Sequence, residues 1–167
     1  MHCRSFPPIA RPDARLLILG SMPGKVSLRD QQYYAHPQNA FWKITAEILG
    51  FDATTPYADR ATALQDHRIA LWDVLQSCTR ESSLDADIDP STIVPNDFTR
   101  FFAKHPAIRR VCFNGAKAAT LFARHVTPTL PAALALELFQ LPSTSPANAG
   151  ISRAEKLRAW RMIGHVE

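Results

Sequence analysis

Apolar and polar positions fall in blocks along the chain, and the blocks predict strands separated by helices. Residues 15–19 form an apolar run closed by Gly20, and residues 69–75 form a second that passes into a loop near Asp73. Residues 108–113 are a third, opening into Asn114-Gly115, and residues 134–141 are a fourth, ending at Pro142. Short apolar runs bounded by Gly, Pro, Asn and Ser are the pattern of buried strands. Residues 39–49 carry Phe41, Ile44, Ala46, Ile48 and Leu49 at helical spacing, with Asn39 near the start and Gly50 in a C-cap position. Further helices are predicted over 58–65, over 91–104 with Ser91 as cap and Pro95 early, from 116 through 122, and over 152–163. Residues 1–14 read as an irregular Pro-rich arm and residues 76–90 as a polar loop.

Strands alternating with helices imply an α/β fold, a parallel sheet covered on both faces. All strands of such a sheet end on one edge, and ligands bind there. The strand-end segments 20–24, Asp73, Asn114-Gly115 and 142–148 therefore border one crevice.

Composition narrows the class of protein. A chain of 167 residues is expected to form one domain, 1–167, with a core of its own. The hydrophobic fraction of 46% and charged fraction of 20% are ordinary for a soluble globular protein. No apolar run approaches the ~20 residues that span a bilayer, and the first residues lack a signal peptide's apolar core. A cytoplasmic protein with no membrane partner is the expectation. The net charge of +4 is compatible with nucleic acid without requiring it. Arg153, Lys156, Arg158 and Arg161 read as a solvated helix face. The three cysteines are too few for a four-thiolate iron–sulfur cluster within one chain, and Cys78 and Cys112 lie in apolar surroundings that suit buried thiols. The six histidines are scattered, so neither a protein-held metal nor a cofactor is expected.

The residues at the crevice limit its chemistry. The first loop is neither GxGxxG nor GxxxxGK[ST], and Ser21 is not in a GxSxG elbow. Ser21, Asn39, Asn114, Ser143, Thr144, Ser145 and Asn148 are neutral, and Asp73 is the one carboxylate among them. A neutral amide is no strong base, but its oxygen can orient a water. Such a site suits a reaction whose transition state is already cationic, as in cleavage of a glycosidic bond. Of the aromatics around Asn39, Phe41 and Trp42 read as core, whereas Tyr33 or Tyr34 is placed to stack on a planar base. Asn39 is also well suited to a plain N-capping role.

Several motifs, in order along nearly the whole chain, resemble those of the uracil-DNA glycosylase superfamily and specifically its hypoxanthine-DNA (deoxyinosine) glycosylase branch. They are Gly20-Ser21-Met22-Pro23-Gly24, Tyr33-Tyr34-Ala35-His36-Pro37-Gln38-Asn39-Ala40-Phe41-Trp42, Leu71-Trp72-Asp73-Val74, Phe113-Asn114-Gly115, and Leu141-Pro142-Ser143-Thr144-Ser145-Pro146-Ala147. The tyrosine-to-tryptophan block is the specific part, and mismatch-specific uracil/thymine glycosylases share a similar version of it.

The resemblance implies a three-layer α/β/α sandwich around a short four-stranded parallel sheet. It implies a cofactor-free, monofunctional enzyme, a monomer, that flips a deaminated base out of single- or double-stranded DNA. Hypoxanthine is the expected base, and hydrolysis of the N-glycosidic bond leaves an abasic site. Asn39 maps to the catalytic asparagine that holds the attacking water or stabilises the sugar cation. Ser21, Met22, Tyr34, Asp73 and Asn114 map to the base pocket, Tyr34 as the stacking aromatic and Asp73 as the base reader. Ser143, Thr144, Ser145 and Asn148 map to the loop that meets phosphates and pushes a wedge into the DNA. Relatives that carry an asparagine in the first loop use it to position water, and classical uracil enzymes carry a histidine in the last loop. This chain has Ser21-Met22 and Leu141-Pro142 there, which leaves the water to Asn39 or Asp73. Uracil, xanthine or mismatched thymine as the main substrate is one alternative, and a non-catalytic DNA-binding module is another.

Overall fold

Every residue of Leu16–Gly20 and of Ile69–Asp73 is buried, as a parallel strand covered on both faces requires. The structure, a computed structural model, describes residues 1–165, so the last two residues of the expected domain lie outside the described residues. In chain order its elements are β1 (His2–Arg4), β2 (Leu16–Gly20), α1 (Lys25–Asp30), α2 (Phe41–Leu49), α3 (Tyr57–Asp66), β3 (Ile69–Asp73) and β4 (Leu75–Thr79). β5 (Val94–Pro95), α4 (Phe98–Lys104), β6 (Arg110–Asn114), α5 (Ala116–His125), β7 (Glu137–Leu141) and α6 (Arg153–Trp160) follow.

β3, β2, β6 and β7 lie side by side in that order, all parallel, in a four-stranded sheet. Successive side chains of a strand point to opposite faces, and the core divides accordingly. Leu17, Leu19, Ala70, Trp72, Val111 and Phe113 pack with Phe98, Phe101 and Phe102 of α4 and with Leu121 and Phe122 of α5. Leu16, Ile18, Ile69, Leu71 and Cys112 pack with Phe41 and Ile44 of α2, Leu64 of α3 and Trp160 of α6. The result is the expected three-layer α/β/α sandwich around four parallel strands.

Beyond Asp73 the chain leaves this sheet without a turn. Val74 and Leu75 donate to the carbonyls of Gly20 and Ser21 (2.8 and 3.1 Å), and the chain continues as β4, the centre of a small antiparallel sheet ordered β1-β4-β5. That sheet corrects two expectations. The N-terminal arm is not irregular throughout: His2–Arg4 is a strand, and Ile9 pairs with Leu71 on the open edge of β3. Residues 76–90 are not all loop, because β4 runs to Thr79. Both strands escape the apolar pattern because Cys3, Ser77 and Cys78 are small, and the arm gains its order by covering an exposed sheet edge.

The other differences concern boundaries. α4 starts after Asp97, whose side chain accepts from Arg100 N (3.1 Å), and not at Ser91, because Pro95 lies in the short strand β5. β7 begins at Glu137, three residues later than the apolar run. α1 has no apolar stripe that would predict it, and Ser27 is its one buried residue. The last helix continues beyond α6 as a 3-10 turn over Arg161–Gly164. Gly50 closes α2 in the left-handed conformation, as expected (φ 78°). Among the described residues, no helix is long and apolar enough to cross a membrane.

Candidate active site

The carboxyl ends of the parallel strands open into a cavity of about 890 Å³. It lies within the roughly 300–1,000 Å³ typical of small-molecule sites. Ser21, Met22, Tyr34, Asn39, Asp73, Asn114, Ser143, Thr144, Ser145 and Asn148 all border it. The geometry therefore brings together every residue singled out from sequence, from segments up to 127 positions apart, and then distinguishes their roles.

Asp73 ends β3 directly beside Gly20 in the register of the sheet. Its side chain is buried, and its Oδ2 has no hydrogen-bond partner. Tyr34 reaches the same point. Its hydroxyl is likewise buried and without a partner. A Cβ on residue 20 would lie 2.6 Å from Asp73 Oδ1 and 2.9 Å from the Tyr34 hydroxyl, so only glycine leaves room for both. Tyr34 adopts a left-handed backbone (φ 54°), which is strained for a bulky residue, and its half-buried ring stacks on Phe41 at 4.1 Å. Burial, followed by the nearby charge of Asp85, pushes the Asp73 carboxyl up to about 7, with Arg80 opposing. Burial and the Asp73 charge push the Tyr34 hydroxyl up as well, so it stays protonated. Asp73 is thus a carboxyl that changes charge near neutral pH.

A polar cluster supports this floor. Ser21 donates to Asp85 Oδ1 at 2.5 Å, and burial holds the Asp85 carboxyl above its ordinary range despite that bond. Arg80 is 1% exposed and donates through Nη2 to the carbonyl of Pro23, while its Nε and Nη1 are unpartnered. Neither Asp85 nor Arg80 stood out in the sequence. In Thr79-Arg80-Glu81 an arginine reads as surface charge, and no local pattern reveals its burial.

Asn39 stands half-buried at the cavity wall, just before α2. Its Oδ1 accepts from Phe41 N at 3.0 Å, so the amide satisfies the first N–H of the helix from one residue before the N-cap position, which Ala40 occupies. This bond fixes its orientation and occupies one lone pair of the oxygen, leaving the other lone pair and the NH₂ group for the cavity. The bond and the functional reading are therefore compatible. Tyr33, by contrast, is core, 3% exposed with its hydroxyl on the carbonyl of Pro7 (3.0 Å), so of the two tyrosines that border the cavity Tyr34 is the more exposed. Phe41 and Trp42 are core as expected.

Asn114 and Thr144 form a clasp. The Asn114 Nδ2 donates to Thr144 Oγ1 (2.9 Å), and its Oδ1 accepts from Thr144 N (2.9 Å). The amide of Asn114 holds the last loop through both its nitrogen and its oxygen, with one N–H and the oxygen's second lone pair left over. Thr144 has no exposed surface, so its hydroxyl holds the loop and does not meet a phosphate, contrary to expectation. Gly115 follows with φ 100° and comes so close to the loop that a Cβ would sit 3.1 Å from Ser143 Cβ. Ser143, Ser145 and Asn148 remain at the surface of the loop, half-buried. From beneath, Trp160 Nε1 donates to the Pro142 carbonyl (2.9 Å) and Lys156 Nζ to that of Ser145 (3.4 Å).

The arrangement offers an aromatic ring, a buried carboxyl, a fixed amide and a rigid polar loop around a space that admits a planar base. No three His, Cys, Asp or Glu side chains are grouped as metal ligands among the described residues.

Comparison with known proteins places the chain in a family. The family model described as "Uracil DNA glycosylase superfamily" matches residues 7–164. A protein of Methanosarcina acetivorans named hypoxanthine DNA glycosylase is 36% identical over 151 residues, 90% of each chain. A protein of the same name from Methanosarcina barkeri is 40% identical over 118 residues, 70% of this chain and 73% of that one. The solution NMR structure of a Methanosarcina acetivorans protein, described as a candidate uracil DNA glycosylase, superposes with a TM-score of 0.80. It is 33% identical and covers 99% of this chain and 100% of its own.

Proposed function

The chain belongs to the uracil DNA glycosylase superfamily, and on that premise we propose that it is a monofunctional DNA glycosylase whose main substrate is hypoxanthine in DNA. The observation that carries this reading is the convergence of Tyr34, Asn39, Asp73 and the 143–148 loop on one cavity at the sheet's carboxyl edge. The relatives named hypoxanthine DNA glycosylase support the choice of base.

In this reading a flipped base enters the cavity and lies against the Tyr34 ring. Asp73, beneath it, reads the base edge through the buried carboxyl whose Oδ2 is otherwise unpartnered. The C1′–N9 bond breaks with its electron pair going to the base, and an oxocarbenium-like sugar forms. A water held by Asn39 then bonds C1′ through its oxygen and releases a proton, and the departing base takes up a proton in turn. A cationic sugar needs a placed water more than a strong base, which suits a neutral amide. Ser143, Ser145 and Asn148 bind the flanking phosphates, and the enzyme acts as a monomer.

A second assignment of the water has its own support. Asp73 titrates near 7 and has a free oxygen, as a general base would. Single-turnover excision by Asn39→Ala and Asp73→Asn separates the two: the water-holding residue abolishes the chemical step, whereas a base reader lowers binding and relaxes base choice. The function itself is tested on duplexes carrying one hypoxanthine, uracil, xanthine or G·T mismatch each, with abasic product read as alkali-labile strand breaks. Hypoxanthine is expected to be excised fastest. Preference for another base overturns the substrate assignment, and salt-dependent binding without product from any duplex identifies a non-catalytic module.

A further inference from the structure

Lysine is almost never buried without a partner of opposite charge. Lys156 departs from that rule. It is 6% exposed, while Arg153, Arg158 and Arg161 around it are exposed. On α6 it lies one turn before Trp160, and these two are the buried residues of the helix. Both donate to the last loop from beneath. Among the described residues, the one hydrogen-bond partner of the Lys156 ammonium is the Ser145 carbonyl, at 3.4 Å, and no carboxylate lies within ion-pair distance. An ammonium has three donors, so a single long bond leaves it under-satisfied. Burial accordingly holds its pKa below the ordinary lysine range, with no opposing charge to raise it.

A loop carbonyl alone does not call for a cation at this position. Trp160 already holds the loop through Pro142, and the loop closes on itself through Asn148 N to the Ser145 carbonyl (3.0 Å) and Asn148 Nδ2 to the Ser143 carbonyl (3.2 Å). What an uncompensated positive charge beneath a polar loop fits is an anion on the loop's outer side. We propose that a DNA phosphodiester lies on the outer side of the 143–148 loop, the loop making its contacts and Lys156, beneath the loop, supplying the compensating positive charge. The proposal rests on the glycosylase reading for the identity of the anion. It also corrects the view of residues 153–161 as a uniformly solvated basic face.

The test is the salt dependence of DNA affinity. Wild type, Lys156→Met and Lys156→Arg are titrated by fluorescence anisotropy with a duplex carrying a tetrahydrofuran abasic analogue and with an undamaged duplex, from 50 to 300 mM KCl. A compensating charge predicts that Lys156→Met binds both duplexes about tenfold more weakly at low salt, with a log K against log salt slope shallower by about one. Lys156→Arg keeps the wild-type slope. Thermal unfolding of Lys156→Met is expected to be unchanged or raised, since it removes a buried charge. An unchanged slope overturns the proposal, including the case in which excision falls but the slope stays, which identifies a loop support only. Hypoxanthine release by the wild type, measured on the same samples, reports separately on the glycosylase reading.

Discussion

Asp73→Asn isolates the most consequential charge in the cavity, and its effect on stability is calculable. The replacement keeps the shape of the side chain and removes its titration. In the unfolded chain the carboxyl titrates at 3.8, and in the folded protein at about 7. Below the lower value it is protonated in both states and its contribution to stability is complete. As pH rises the unfolded chain loses this proton first, so stability falls from about pH 4 and levels off only once the folded carboxyl has ionised above 7. At about 1.36 kcal/mol per unit, the gap corresponds to a loss of about 4 kcal/mol across that window. Asp73 is 3% exposed, so solvent screening removes little of it. The Asn variant lacks this loss. Its stability relative to wild type should therefore improve by about 3 kcal/mol between pH 4.5 and pH 8, or roughly 6–12 °C in Tm for a domain of this size. Urea unfolding of both proteins at several pH values measures the difference, and the carboxyls that do not interact with Asp73, which excludes Asp85, cancel in the comparison. A difference that stays constant within about 0.5 kcal/mol over this range refutes the reasoning, because it means that Asp73 is charged and compensated throughout.

Three further outcomes follow from contacts in the site. Gly20→Ala drives a methyl into Asp73 Oδ1 and the Tyr34 hydroxyl; it should lower stability by about 1–3 kcal/mol in thermal unfolding and reduce excision by an order of magnitude or more. Asn114→Ala breaks both bonds of the clasp, and Thr144→Ala breaks the one to its hydroxyl, since the other is donated by the Thr144 backbone N. Each should cost about 1–3 kcal/mol, and in a double-mutant cycle the two losses should not add; additive losses would dissolve the clasp. Borohydride added during turnover should trap no protein–DNA adduct, because hydrolysis by water passes through no Schiff base; a trapped adduct would replace the hydrolytic mechanism with an amine nucleophile.

The parallel strands were legible because burial on both faces writes itself as uninterrupted apolar residues, as in Leu16–Leu19 and Ile69–Leu71. The cavity was legible for a related reason: a parallel sheet brings all its strand ends to one edge, so Gly20, Asp73 and Asn114 had to meet. What escaped depended on partners distant in sequence. β1 and β4 are strands because they pair with each other, and Cys3, Ser77 and Cys78 give no apolar alternation to announce it. Thr144 looked like a phosphate ligand among serines, but Asn114, 30 residues away, turns it inward. Lys156 looked like a surface charge, and Arg80 carried no sequence signal of its burial. For Lys156 a signal existed, since it stands four residues before the buried Trp160 and shares its helix face. For Arg80 none did, because its burial is decided by the Pro23 carbonyl across the fold.

The central claim is that the cavity excises hypoxanthine with a water placed by Asn39. It is tested most directly by the single-turnover rate of hypoxanthine release from a deoxyinosine duplex, compared between wild type and Asn39→Ala with DNA affinity measured alongside. The account predicts release of the free base by the wild type and a loss of at least about 100-fold in the variant, with affinity within a few fold. Loss of one preorganised polar side chain at a developing charge typically costs about 10²–10³-fold. A variant that excises within threefold of wild type would contradict it and remove Asn39 from the chemistry.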